Sequence, residues 1–297
     1  MKYRITHTTG YRYSSPVSIC HNVVILSPQS GPYLEVRKHS LTIVPDPSVR
    51  GERRDFFGNT VNRFSVEEQH TQLSITAVSD VLVRPKPVVA PAGSPPCEVI
   101  MAALRERSDV RWLSVIPFTA NSPRIHRDPV YAEFAARSLD LHKPVISAAM
   151  DLTRQIYSEF KYDKNATRVD TPTRTAFDGR HGVCQDFAHV AVSCLRSVGL
   201  PARYVSGYLR TIPPPGKTRL VGADQSHAWV SVYCGADLGW MEFDPTNNCQ
   251  CSTDHLPIAF GRDYSDVVPM KGIFLGGGEP VLTVTVDVAP MADGLKA

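Results

Sequence analysis

Residues 85–96, PKPVVAPAGSPP, split this chain of 297 residues into two parts that follow different hydrophobic periods. Pro85, Pro87, Pro91, Pro95 and Pro96 fix φ and remove backbone donors, so the segment can continue neither a central strand nor a helix. Before it, YRITHTTGYRY, VRKHSLTIVPDP, NTVNRFSVEE and LSITAVSDVLVR alternate, are rich in Val, Ile, Thr and Tyr, and are separated by turn chemistry at Ser-Pro, Pro-Asp-Pro and Gly-Asn. This predicts an N-terminal antiparallel β domain over residues 1–84, followed by a Pro-rich linker and connecting segment over 85–127. From residue 128 the period is helical. Asp128 and Pro129 form an N-cap and N1 pair, and Pro144 opens VISAAMDLTRQIYSEF, in which Ile146, Ala149, Leu152, Ile156 and Phe160 recur on one face. Residues 128–297 are expected to form one core, giving an α+β protein. Within it, VLTVTVDV at 281–288 is a last strand that either extends the core's sheet or returns to the first domain.

Composition removes several function classes. A formal net charge of +3, from 32 Lys and Arg against 29 Asp and Glu, comes without a basic block that would track phosphates, so no nucleic-acid partner is expected. The N-terminal MKYRITHTTGYRYSS lacks the apolar core of an export signal, and no apolar run approaches the roughly 20 residues of a membrane span. The expectation is a soluble, cytoplasmic protein with no membrane partner. Seven cysteines, an odd number spread over a long chain, fit reduced thiols better than a disulfide framework.

Two of those cysteines fall in GRHGVCQDFAHVAVSCLRSVGLPARYVSGY, residues 179–208. Phe187, Val190, Ala191, Cys194, Leu195 and Val198 form an apolar stripe, and Gly199 with Pro201 stops it, so CQDFAHVAVSCLRSVG reads as a helix of about four turns. Cys194 lies on the stripe, where a thiol serves as a small hydrophobe. Cys184 stands at the helix start, after a turn containing Gly182, where free N–H groups and the macrodipole favour a thiolate. Cys184 is therefore the candidate nucleophile.

A thiol needs a base. In HAWVSVY, Ala228, Val230 and Val232 alternate with His227, Trp229, Ser231 and Tyr233, and after the GADLG turn GWMEFDPTNN opposes Met241 and Phe243 to Trp240, Glu242 and Asp244. A hairpin closed on that turn admits a register with Trp229 across from Asp244, which makes His227 and Asp244 diagonal neighbours roughly 7 to 8 Å apart at the backbone. An imidazole to take the thiol proton and a carboxylate to hold the imidazole complete a Cys-His-Asp set: Cys184, His227 and Asp244.

These three segments, GVCQDFAHVAVSCLRSVGLPARYVSGY, SHAWVSVY and GWMEFDPTNN, resemble the transglutaminase-like superfamily of papain-type cysteine enzymes in its bacterial form with an N-terminal β domain. The similarity runs on through AFGRDYSDVVPMKGIFLGGG and, more weakly, TGYRYSSPV and FFGNTVNRFSV. It departs at NVVILSPQ, where the family more often carries a basic residue before the proline. The resemblance implies a papain-like core in which the Cys184 helix packs on an antiparallel sheet, with Cys184, His227 and Asp244 at the positions of the family's triad. It also implies acyl transfer on a peptide or protein amide through a thioester at Cys184. Hydrolysis, as by an amidase or peptidase, is the leading outcome, and transamidation of protein glutamine the second. The Cys184 backbone N–H is a natural oxyanion donor. No cofactor and no metal are expected, and no D-x-[DN]-x-[DN]-G calcium loop is present. Oligomeric state is not legible.

Two other readings stay beside this one. Cys249, Cys251 and His255, with Cys234, offer three thiols and an imidazole for a zinc ion, although the C-x-C spacing is tight for such a site. The core could also be a non-catalytic module that only binds peptide or protein. TIPPPGKTRLVGAD at 211–224 joins the strand before it to the one bearing His227, as an exposed connector or a substrate lip.

Overall fold

The computed structural model describes residues 1–86, 89–106, 110–211 and 224–291. The loop expected as connector or lip, 211–224, lies outside the described residues apart from its two ends.

The first unit is a seven-stranded antiparallel sheet organised around one strand of 26 residues, β1 (Lys2–Ser27). The alternation of its first half buries Tyr3, Ile5, His7 and Thr9 on one face. Beside it lie β2 (Leu34–Val44), β3 (Val49–Arg54), β4 (Thr60–Val66) and β5 (His70–Val83), in the order β2-β5-β1-β4-β3. The β1 to β5 ladder breaks its register between Arg12 and Val17, at the Ser-Ser-Pro that reads as turn chemistry; such irregularities let one strand bend and change partners. Its first half therefore pairs with β5 and its second half with β4.

After the Pro-rich segment come α1 (Cys97–Glu106), α2 (Pro129–Ala136), α3 (Val145–Glu159), the two-residue strand β6 (Lys161–Tyr162), α4 (Thr173–Gly179), its parallel partner β7 (His181–Gly182), and α5 (Cys184–Ser197). Asp128 caps α2, its carboxylate accepting from Val130 N at 2.9 Å with Pro129 next in line. A five-stranded antiparallel sheet follows: β8 (Ala202–Leu209), β9 (Gln225–Tyr233), β10 (Trp240–Asp244), β11 (Cys249–Gln250) and β12 (His255–Gly261), in the order β11-β10-β9-β8-β12. Helix α5 lies on β8 and β9, and Phe187, Val190, Ala191 and Cys194 enter a core with Ile146, Leu152 and Ile156 of α3 and with Val230, Val232, Met241 and Phe243 of the sheet. This is the helix-on-antiparallel-sheet arrangement of an α+β fold.

Two segments do more than the sequence suggests. Residues 85–127, expected as linker and connection, contribute α1 and Phe118: Cys97 and Ile100 are buried in the helical core, and Phe118 packs edge-on against Trp240 with ring centroids 5.1 Å apart. The polar stretch before Cys184 contains α4, whose seven residues hold too little periodicity to be read in advance.

The stretch expected to run from 128 to 297 as one core also divides. Strands β13 (Met270–Gly276) and β14 (Pro280–Pro290) leave the second sheet and pair antiparallel with β1, β14 with residues 3–13 and β13 with residues 17–24. Of the two places left open for the last strand, the first sheet is the one it takes. The two sheets share apolar contacts, because Tyr3, Ile5, Val81, Val286 and Val288 cluster with Tyr208, Leu256 and Ile258.

Candidate active site

The start of α5 is fixed by Asp186. Its Oδ2 accepts from Val183 N at 2.8 Å and from Thr167 Oγ1 at 2.6 Å, which closes the first turn and ties it to the segment before α4. Burial pushes the Asp186 carboxyl up, against the lowering effect of those two donors. Gly182 leaves room for this carboxylate: a Cβ there would meet Asp186 Oδ2 at 2.5 Å. Cys184 is the first residue of the helix and is half-buried, packed against the cluster of Ala188, Tyr204 and Ala228. Cys194 is fully enclosed, and burial pushes its thiol far above the ordinary range.

Strands β9 and β10 form the hairpin expected from their alternation. Their ladder runs from Trp240 opposite Tyr233 to Phe243 opposite Val230, so the next step sets Asp244 beside Trp229 and leaves His227 on the diagonal. His227 Nε2 donates to Asp244 Oδ2 at 2.7 Å, and the Cys184 side chain interacts with the ring closely enough to raise its pKa. Since Asp244 occupies Nε2, Nδ1 is the nitrogen left for the thiol. The structure thus brings together all three residues singled out in the sequence. Gly207 faces His227 across the β8 to β9 ladder, and it too supplies room, because a Cβ there would collide with the Trp229 ring and the Leu256 carbonyl.

Asp244 is completely buried and fully satisfied. Oδ1 accepts from Thr246 N at 2.8 Å and Asn247 N at 3.2 Å, while Oδ2 accepts from His227, from His255 Nε2 at 3.0 Å and from Asn247 Nδ2 at 2.7 Å. Burial alone would raise its pKa; the hydrogen bonds from His227 and His255 outweigh that and hold the carboxyl well below the usual range. For His227, burial lowers the pKa, but the hydrogen bonds to Asp244 and Cys184 reverse the sign and carry it up to about 10. Carboxylate and imidazolium therefore coexist at neutral pH. Behind them Trp229 Nε1 donates to buried Glu242 at 3.1 Å, and Lys86 of the Pro-rich segment pairs with the same oxygen at 2.9 Å.

Asn247, His255 and Asp186 are parts of the site that sequence reasoning missed. For Asn247 a signal existed, since Asp-Pro-Thr-Asn is turn chemistry that folds a side chain back on the aspartate. The zinc reading does not survive. Among the described residues, the metal-ligating group whose atoms lie close together is His227, Asp244 and His255, within 4.8 Å, and their mutual hydrogen bonds account for it. Cys234 is buried in the helical core and Cys251 beside Val205 and Trp229.

Cys184 and His227 open into a cleft of about 420 Å³. One wall is the second unit, with Tyr204 and Tyr264; Tyr264 is held by its N–H donating to His189 Nε2 of α5 at 3.2 Å. The other wall is the first sheet, which presents Thr9 and Tyr11 of β1, Met270 of β13, and Leu282 and Val284 of β14. Among the described residues, no Asp, Glu, Lys or Arg lines it.

A half-buried thiol at a helix N-terminus, an imidazole on the neighbouring strand and a buried carboxylate behind it define the class of papain-like cysteine folds. Comparison narrows the class. Residues 3–82 match the bacterial transglutaminase-like N-terminal region and residues 132–245 the transglutaminase-like superfamily. An uncharacterized protein of Mycobacterium tuberculosis is 38% identical over 301 residues, covering 100% of this chain and 95% of that one. A protein-glutamine gamma-glutamyltransferase of Pseudomonas aeruginosa is 33% identical over 152 residues, which are 48% of this chain and 22% of that protein. The crystal structure of a "Putative Cysteine Protease" from Cytophaga hutchinsonii shares the fold, with a TM-score of 0.75 at 22% identity, over 100% of this chain and 92% of that one. The chain belongs to the transglutaminase-like superfamily, in its bacterial form with an N-terminal β region. Among the described residues, no helix is long and apolar enough to cross a membrane.

Proposed function

We propose that this protein is a cysteine enzyme that transfers acyl groups from amide or peptide bonds, with Cys184 as nucleophile, His227 as acid and base, and Asp244 as its orienter. The observation that carries this reading is the 2.7 Å hydrogen bond from His227 to Asp244 Oδ2, with His227 lining the same cleft as the Cys184 thiol at the start of α5. The thiolate attacks the carbonyl, His227 gives its proton to the departing amine, and a thioester remains on Cys184. The Cys184 backbone N–H serves as one oxyanion donor, a contribution that in other enzymes is worth roughly 10²- to 10³-fold in kcat. No step calls on a cofactor.

Hydrolysis is the leading outcome, because Cys184 is half-buried in a cleft that water reaches. Transamidation is the second reading, favoured by the similarity to the Pseudomonas aeruginosa gamma-glutamyltransferase over 152 residues. The substrate is a peptide or protein amide. We place the chemistry in the cytoplasm, where seven free cysteines stay reduced; cell fractionation checks this.

The test is a panel of peptides and amides offered to wild type and to Cys184→Ala, with ammonia release, new N-termini and amine incorporation read separately. Amidase, peptidase and transglutaminase activity each move one readout. Turnover that survives in Cys184→Ala sinks the proposal. A Cys184 alkylated no faster than Cys194, with no turnover on the panel, would instead leave a binding module.

A further inference from the structure

The Asp244 oxygen that accepts from His227 at 2.7 Å also accepts from a second imidazole, His255, at 3.0 Å. The two rings come from different strands, β9 and β12, which lie on opposite sides of β8. We propose that His255 is a positioning residue of the Cys184 site, acting on the nucleophile only through Asp244. The inference rests on the reading of Cys184, His227 and Asp244 as the reacting set.

The tautomer of His255 is set by its surroundings. Ser252 N donates to Nδ1 at 3.3 Å, so Nδ1 is the acceptor and Nε2 carries the proton given to Asp244. The ring is held edge-on to Trp229, with centroids 5.4 Å apart and planes at 81°, and it is buried. Trp229 is itself fixed through Glu242. A ring so enclosed cannot swing away from the carboxylate.

Beside the neutral Asn247 amide, which donates to the same Oδ2 at 2.7 Å, a neutral imidazole does two things here that a charged donor would not combine. It adds a third donor to Oδ2 from a different strand, which resists rotation of the carboxylate out of line with His227. It also adds no positive charge beside the His227 imidazolium, whose ring centroid lies 6.2 Å away. A lysine or arginine in its place would hold Asp244 but compete with His227 for its charge. His255 therefore grips the orienter without displacing what the orienter holds.

The experiment compares His255→Phe, His255→Gln and His255→Asn with wild type. Gln carries an amide N–H that reaches Oδ2, Asn carries one that falls short, and Phe keeps the ring without a donor. Two rates are read, turnover of a substrate found in the panel and alkylation of Cys184 by iodoacetamide at pH 7, together with Tm. The expected result is a kcat and an alkylation rate lowered roughly 10- to 100-fold in His255→Phe, the effect of losing one hydrogen bond to a charged group, with KM within about twofold of wild type. His255→Gln should recover most of both rates and His255→Asn should not. Wild-type rates in His255→Phe overturn the proposal, as does a loss shared equally by Gln, Asn and Phe in step with Tm, which marks a packing role. If His255→Phe does not fold, the contrast between Gln and Asn decides. Alkylation needs no substrate, so an empty panel would count against the proposed activity while the alkylation series still tests His255.

Discussion

Cys184 and Cys194 share α5 and are ten residues apart, yet the first is half-buried beside the His227 imidazole and the second is sealed in the helical core. On the proposed reading, the same side chain is a reagent in one place and filling in the other. What separates them is the imidazolium and the free end of a helix, both within reach of Cys184 alone.

Alkylation should read that difference. Iodoacetamide should label Cys184 at pH 6.5, while Cys194 stays unlabelled in the folded protein, as peptide mapping by mass spectrometry would show. In His227→Ala the imidazole that takes the thiol proton is gone, and the rate of Cys184 labelling at the same pH should fall.

Stability should depend on pH through the same pair. His227, raised in the folded state to about 10 from an unfolded value of about 6.5, contributes stability that is complete below 6.5 and is lost as pH rises toward 10. Asp244, depressed in the folded state, contributes stability that is complete above the unfolded carboxyl value of about 3.9 and is lost as pH falls below it. The Tm gap between wild type and His227→Ala should therefore be widest between about pH 4 and 6.5 and close at alkaline pH. A gap that stays constant to pH 10 would contradict the assignment of the charge to His227.

Asp186→Ala should cost about 1 to 2 kcal/mol, because it leaves the Val183 N–H and the Thr167 hydroxyl without their shared acceptor. Denaturant unfolding measures the loss. Turnover should fall further than the stability change explains, since the first turn of α5 aims Cys184.

The first sheet should matter to substrate use. Leu282 and Val284 line the cleft from β14 and are about half exposed, at 53% and 49%, so each tolerates a polar replacement without disturbing the core. Val284→Asp should raise KM roughly tenfold or more, with kcat and Tm nearly unchanged, as steady-state kinetics on a panel substrate would measure. An unchanged KM would remove the first sheet from the binding surface.

The parts of this arrangement written in local sequence were legible: the N-cap of α2, the stripe and stop of α5, and the shared face of β9 and β10, whose alternation admitted the observed register without fixing it. The parts set by distant pairing were not. The alternation in β14 fits any sheet with an open edge, and nothing in VLTVTVDV says that its partners are 269 to 283 residues away near the N-terminus. His255 reaches Asp244 across eleven residues and two strands, so its Cys-rich neighbourhood suggested a metal rather than a carboxylate. Asp186 stood in plain view at the third helical position, but its service to Val183 N depends on the glycine that makes room for it.

The most direct test of the central claim is the intermediate itself. Wild type mixed with a panel substrate and quenched in acid within milliseconds should carry the substrate's acyl mass on the peptide containing Cys184, as a thioester that hydroxylamine removes. Turnover with no adduct at any quench time, or with the acyl group on another residue, would contradict Cys184 as the nucleophile.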